Sequence, residues 1–242
     1  MFTRPFRYER AGQYTHACEL LRTHGDDAKV IAGGQSLLPM INLGLVQPEV
    51  VVDISRLPEG RNITVDADGY LTLGALVTHA RLAADACARA AQPLLPEAAS
   101  LIGNSRVRNR GTLGGSLAHA DPAAELPLVM VALGATYEVT SGHASRSVGA
   151  EDFHLGFFTT SLDADELIVS VRASARAGLG LELPGGVTTG RGLRDGVGGS
   201  PHPQRRGPGR GGTGGRRRGK RPAGVAGGRG VGSHRVRGCR HR

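Results

Sequence analysis

Apolar positions recur along the first two-thirds of the chain with two different periods, and each period announces an element. Ala17, Leu20 and Leu21 follow Thr15, a residue able to cap a helix, and their spacing predicts a short helix ending near Gly25. The run 29–32 predicts a strand that opens directly into Gly33-Gly34, with Ser36 starting a helix over LLPMINLGL. Residues 49–54 are β-branched and largely apolar, the signature of a buried strand, and 63–65 with 70–73 predict a hairpin about Asp68-Gly69. Thr78 can cap a helix running to Asp85, which the alanine-rich stretch 83–91 extends to Pro93. Further on, 126–133 reads as an apolar helix and 135–140, 145–148 and 167–172 as strands. The expected class is α+β, arranged in two lobes.

Composition changes this picture only beyond residue 172. Residues 1–172 carry 14 Lys+Arg against 19 Asp+Glu, whereas residues 173–242 carry 16 against 2, so the net charge of +9 joins a mildly acidic segment to one of +14. All five Phe and all four Tyr lie at or before Phe158, and Gly plus Arg supply 37 of the last 70 residues. A segment so poor in apolar groups cannot offset its ordering entropy, and 173–242 is expected to be a disordered tail. The three cysteines stand far apart with no CxxC spacing, which excludes a cluster or structural zinc held by this chain alone. The N-terminus lacks an apolar signal region and no window holds about 18 apolar residues, so the expectation is a cytoplasmic protein without membrane insertion.

Two glycine pairs flanked by hydroxyl residues carry the candidate chemistry: Ala32-Gly33-Gly34-Gln35-Ser36 and Thr112-Leu113-Gly114-Gly115-Ser116. Glycine lets successive backbone N–H groups converge on an anion, and Ser or Thr hydroxyls add donors, so two such loops can grip both phosphates of a dinucleotide. A single Gly-Gly pair is more often a plain turn, touching phosphate roughly one time in ten. Neither pair fits GxGxxG or GxxxxGK[ST], which leaves the Rossmann and P-loop readings unsupported. Three arginines, Arg106, Arg108 and Arg110, read better as a solvated loop entering a phosphate site than as a nucleic-acid stripe.

The long motifs make the reading specific. AGGQSLLPMI at 32–41 together with IGNSRVRNRGTLGGSLAHADPAAELP at 102–127 resembles the medium, FAD-binding subunit of the molybdenum hydroxylases, the family that includes carbon monoxide and xanthine dehydrogenases. FRYERA near the start and DELIVSVR further on extend the resemblance over about residues 1–172. It implies a FAD-binding fold of two α/β subdomains, 1–55 and 56–172, with the FAD pyrophosphate on loops 32–36 and 112–116. Ile102 and Ile168 would then pack near the flavin, and Glu125 stands where the family places a carboxylate, usually Asp, that bonds the cofactor. Asp121 either bonds a ribose hydroxyl or caps a helix beside Pro122; His119 either approaches the flavin or faces solvent. No catalytic acid, base, nucleophile or metal ligand is expected, because the flavin supplies the redox chemistry. Molybdopterin and [2Fe-2S] clusters are expected on a large and a small partner subunit, with NAD or a quinone as acceptor.

After residue 172 the resemblance stops. The family continues into a smaller C-terminal α+β domain, here replaced by Gly/Arg-rich text. Read one base later, the codons for 180–197 can spell AWSFQEVSRRAADFAMV, which resembles the opening of that second domain, so a frameshift between about Arg172 and Gly180 is the expected origin of the tail. The alternatives are an Arg/Gly-tailed nucleic-acid-binding protein or a non-functional truncated product. Against nucleic-acid binding stands the lack of any aromatic residue in the tail to stack on bases.

Overall fold

The computed structural model describes residues 4–174. The expected tail lies, from residue 175 onward, outside the described residues, and the frameshift and nucleic-acid readings lie there with it.

The chain opens with β1 (Arg7–Arg10), α1 (Tyr14–His24), β2 (Ala28–Ile31), α2 (Leu37–Asn42) and β3 (Val50–Asp53). The three strands form a parallel sheet in the order β1-β3-β2, with Arg7 and Ala28 on either side of Val50. Parallel neighbours need a crossover, and α1 and α2 belong to the connections between these strands. Every residue of central β3 is buried, as its valine run anticipates for a strand covered on both faces. Helix α1 buries Tyr14, Ala17, Cys18 and Leu21, a spacing of three and four that makes one apolar stripe, which packs with Val50, Val52 and Leu57.

The remainder runs β4 (Ile63–Val65), β5 (Tyr70–Gly74), α3 (His79–Ala84), α4 (Ala86–Ala91), α5 (Leu94–Leu101), α6 (Ser105–Arg110), α7 (Leu113–His119), α8 (Glu125–Ala132), β6 (Thr136–Thr140) and β7 (Ser145–Gly149). It closes with α9 (Ala150–Phe153), a small hairpin of β8 (His154–Gly156) and β9 (Thr159–Thr160), and β10 (Leu167–Ser174). An antiparallel sheet forms in the order β4-β5-β10-β6-β7, so the last strand among the described residues sits in the middle. Leu73, Val171 and Tyr137 align across three strands, all fully buried. Side chains of this size each contribute about 1.5–3 kcal/mol when removed from water. Leu82, Leu95, Leu113, Leu117, Leu126 and Met130 bring the helices onto the same core.

Three departures from the periodicity have local causes. The helix expected over 78–91 breaks at Asp85, whose extended backbone and side chain accepting from the Ala88 amide (2.9 Å) start a fresh helix; Asp favours such caps over helix interiors. The helix after Ser36 stops at Asn42, short of the positive φ of Gly44 (74°). Residues 94–119, given no element by periodicity, form three helices of six to eight residues, too short for an apolar period to repeat.

Candidate functional site

The first glycine pair ends β2 and leads into α2. Gly34 has φ +73°, the left-handed region that glycine enters without strain. Gly33 is required for a different reason: a Cβ there would overlap the carbonyl group of Arg110 and the Cα of Gly111, so the two loop regions touch backbone to backbone. The Gln35 side-chain amide donates to the Gly33 carbonyl at 3.3 Å, and Leu38 N–H donates to Gly34 O at 3.2 Å. Among the described residues the backbone amides of Gly33, Gly34, Gln35, Ser36 and Leu37 have no hydrogen-bond acceptor, and the Ser36 hydroxyl makes no capping bond.

The second pair lies at the start of α7, where the amides of residues 113–116 are all engaged. Leu113 N–H donates to Val77 O (2.9 Å), Gly114 N–H to Ala75 O (2.7 Å), Gly115 N–H to the Thr112 hydroxyl (3.2 Å) and Ser116 N–H to Thr112 O (3.0 Å). His79 N–H adds a bond to Gly111 O at 3.0 Å, and Thr78 and Thr112 form an isolated bridge. A Cβ on Gly114 would come within 2.6 Å of the Ala75 Cβ, so this glycine serves the packing of α7 on segment 75–79.

Both loops line one cleft of about 480 Å³, within the usual range for small-molecule and cofactor pockets. Of the residues singled out from sequence, Ala32–Ser36, Ile102, Thr112, Gly114, Gly115, Ser116, Asp121 and Ile168 lie on its wall. Leu113 does not, being fully buried in the core, and Glu125, the first residue of α8, is not a lining residue although its neighbour Ala124 is. Asp121 accepts from the Ala123 amide at 2.9 Å; it shapes the turn before α8 rather than capping the helix, whose N-cap is Ala124. His119 lines the cleft and packs against Phe158 in a tilted arrangement, with ring centroids 5.1 Å apart and planes at 56°. Phe158 (φ 54°) and Ala120 (φ 49°) are the non-glycine residues with positive φ among those described, and they are joined by a 2.9 Å bond from Phe158 N–H to Ala120 O. Backbone held this way is worth about 1–3 kcal/mol of strain per residue and tends to cluster at functional sites.

The arginines take other work. Arg108 donates to the carbonyls of Ile102 (3.0 Å) and Gly103 (2.9 Å), tying down the turn that carries Ile102, while Val107 and Gly111 of this region reach the cleft. Sequence reasoning missed Lys29, Leu76, His79 and Glu166 as lining residues. Glu166 stands two positions before Ile168 in DELIVSVR, so the motif held the signal. Its carboxylate takes a bidentate grip from Arg146 (2.8 and 2.6 Å) and the Asp163 amide (2.9 Å), and the Arg146 bonds hold it below the usual carboxylate range. A register shift in β10 between Ile168 and Ser170 accompanies the bond from Ala75 N–H to Val169 O (2.9 Å), beside the cleft residues Leu167 and Ile168. His79 carried no signal beyond its place after a helix cap.

The sequence pattern of the FAD binding domain in molybdopterin dehydrogenase matches residues 4–173. The chain belongs to this family. Within the FAD binding domain family it is similar to the alpha subunit of the 6-hydroxypseudooxynicotine dehydrogenase complex of Paenarthrobacter nicotinovorans, 44% identical over 166 residues, 69% of this chain and 56% of that one. The medium chain of carbon monoxide dehydrogenase from Hydrogenophaga pseudoflava is 39% identical over 172 residues, 71% of this chain and 60% of that one. Among solved structures, quinoline 2-oxidoreductase from Pseudomonas putida 86 superposes with a TM-score of 0.70 at 41% identity, covering 73% of this chain and 61% of that one. The chain thus spans about three-fifths of the length of these FAD-domain relatives. Among the described residues no helix is long and apolar enough to cross a membrane, and no group of His, Cys, Asp or Glu could hold a metal ion.

Proposed function

We propose that the cleft holds FAD and that the chain is the flavin-carrying electron-transfer subunit of a cytoplasmic molybdenum-containing hydroxylase or dehydrogenase. One observation carries this reading: five consecutive amides without an acceptor, at 33–37, on the wall of a cleft shared with a second hydroxyl-bearing loop. Backbone N–H groups in such a run suit a pyrophosphate, which offers several charged acceptors within a short span. The Ser36, Thr112 and Ser116 hydroxyls add donors, and the apolar side chains of Ile102, Leu162 and Ile168 suit a flat ring system. The donor set and the walls therefore fit FAD, with subdomain 1–55 contributing the first loop and 56–172 the second.

When bound, FAD supplies the redox chemistry, taking electrons from [2Fe-2S] clusters on a small partner subunit after oxidation of substrate at a molybdopterin centre on a large one, and passing them to NAD, a quinone or another acceptor. The protein's own part is to bind and orient. Loop 33–37 meets the charge, Arg108 fixes the turn bearing Ile102, and the Arg146–Glu166 pair holds a compensated carboxylate on the wall without leaving a free negative charge there.

Titration of the full chain with FAD, followed through flavin fluorescence, is expected to saturate at one flavin per chain. Co-expression with candidate large and small subunits is expected to give a three-part complex on purification. A chain that takes up no FAD overturns the proposal.

A further inference from the structure

His79 is 4% exposed, lines the cleft, and its Nδ1 is sealed in the interior with no hydrogen-bond partner. Buried polar atoms in native proteins are overwhelmingly paired, so an orphan beside a ligand cleft asks for an explanation. The other edge of the ring faces the crossing of the two loops: a Cβ on Gly111 would come within 2.8 Å of Nε2 and 2.7 Å of Cδ2, and Gly111 is in turn the residue that a side chain on Gly33 would strike. A neutral imidazole carries one N–H and one lone pair. Placing the hydrogen on Nδ1 would bury an unpaired donor, the rarer and costlier orphan, whereas placing it on Nε2 leaves only a lone pair unmet. The geometry therefore selects the tautomer with its donor on the edge next to the loops.

Resting on the reading of this cleft as the FAD site, we propose that His79 is a cofactor-contacting residue whose Nε2–H donates to the pyrophosphate where the two glycine loops meet. In the second loop the amides of residues 113–116 are engaged, which leaves only that of Thr112 without an acceptor among the described residues, and His79 lies in the segment to which that loop is stitched. The imidazole thus adds a donor beside a loop whose amides at 113–116 are already engaged. Nothing in the role calls for a charged ring; a neutral N–H to an anionic oxygen suffices.

The test compares the full wild-type chain with His79→Phe, which keeps a flat ring and removes both nitrogens, His79→Gln, whose amide nitrogen can take the place of Nε2, and His79→Asn, whose amide nitrogen overlies Nδ1. Each is titrated with FAD and with riboflavin, which has the ring system and no phosphate. A hydrogen bond to a charged group is worth a loss of about 10- to 100-fold. FAD affinity is expected to fall by that factor in H79F and H79N and to stay within about three-fold in H79Q, with riboflavin affinity equal in all four. H79F binding FAD as tightly as wild type, a riboflavin affinity that falls in step with that for FAD, or equal FAD affinities for H79Q and H79N would each overturn the inference while the FAD site stands. Should H79F not fold, the contrast between Gln and Asn still decides. A wild-type chain that takes up no FAD overturns both readings together.

Discussion

At residues 33–37 five amides lack any acceptor, while at 113–116 each of four amides already has one, two of them in segment 75–79 and two in Thr112. The loops share a glycine pair and flanking hydroxyls, yet the first is a set of open donors and the second a set of closed ones. Their glycines differ in the same way. Gly33 and Gly34 permit a close backbone approach and a left-handed turn, whereas Gly114 makes room for Ala75. A glycine pair in a sequence thus states that backbone comes near something; whether that is a ligand or the protein's own chain depends on what lies across from it.

Substitutions can break the contrast, beginning where the effect is largest. Gly33→Val would drive a branched side chain into the Arg110 carbonyl, part the two loops and displace the open amides; FAD affinity is expected to fall more than about 100-fold, with roughly 1–3 kcal/mol of stability lost to overpacking. Fluorescence titration and chemical denaturation check the two halves, and a Gly33→Val chain that still binds FAD normally would show that the open amides are not the cradle.

The closed loop should instead respond to acid. Burial pushes the His79 imidazole down to about 4 from an ordinary 6.5, so the unfolded chain binds a proton between those values that the folded chain refuses. Stability from this group is complete above pH 6.5 and falls as the pH drops toward 4, by on the order of 3 kcal/mol. Denaturation at stepped pH should show this slope in wild type and its loss in His79→Gln; equal slopes would remove His79 as its source.

Thr112→Ala comes next. Losing the cap on Gly115 is expected to cost about 1 kcal/mol, a drop in Tm of about 2–4 °C, with a smaller effect on flavin affinity than on stability. Smallest are the hydroxyls: Ser36→Ala and Ser116→Ala should each weaken FAD binding by about 2- to 10-fold with the Tm unchanged, because neither side chain holds a bond within the protein. A Tm shift in either would reassign that serine to structure.

Local features of this arrangement were open to sequence reading. The α1 stripe, the β3 valine run and the hairpin about Asp68-Gly69 depend on neighbours in the chain, and all three appear. The long motif around the second loop named the flavin-domain family directly. What stayed hidden depends on distant partners: β10 entering between β5 and β6, the 75–79 segment taking up the second loop's amides, and His79 arriving under the loop crossing. Short helices α5, α6 and α7 were hidden for a different reason, having too few turns to display a period.

The central place of β10 also bears on how the chain is made. A ribosome releases β5 and β6 long before Leu167–Ser174, and until that strand arrives each presents an open edge where the finished sheet has a neighbour. The parallel sheet, complete by Asp53, can assemble early; the antiparallel one must wait for nearly the last described residue. Nascent chains halted before about residue 167 are therefore the form most exposed to edge-to-edge association and most in need of a chaperone's cover.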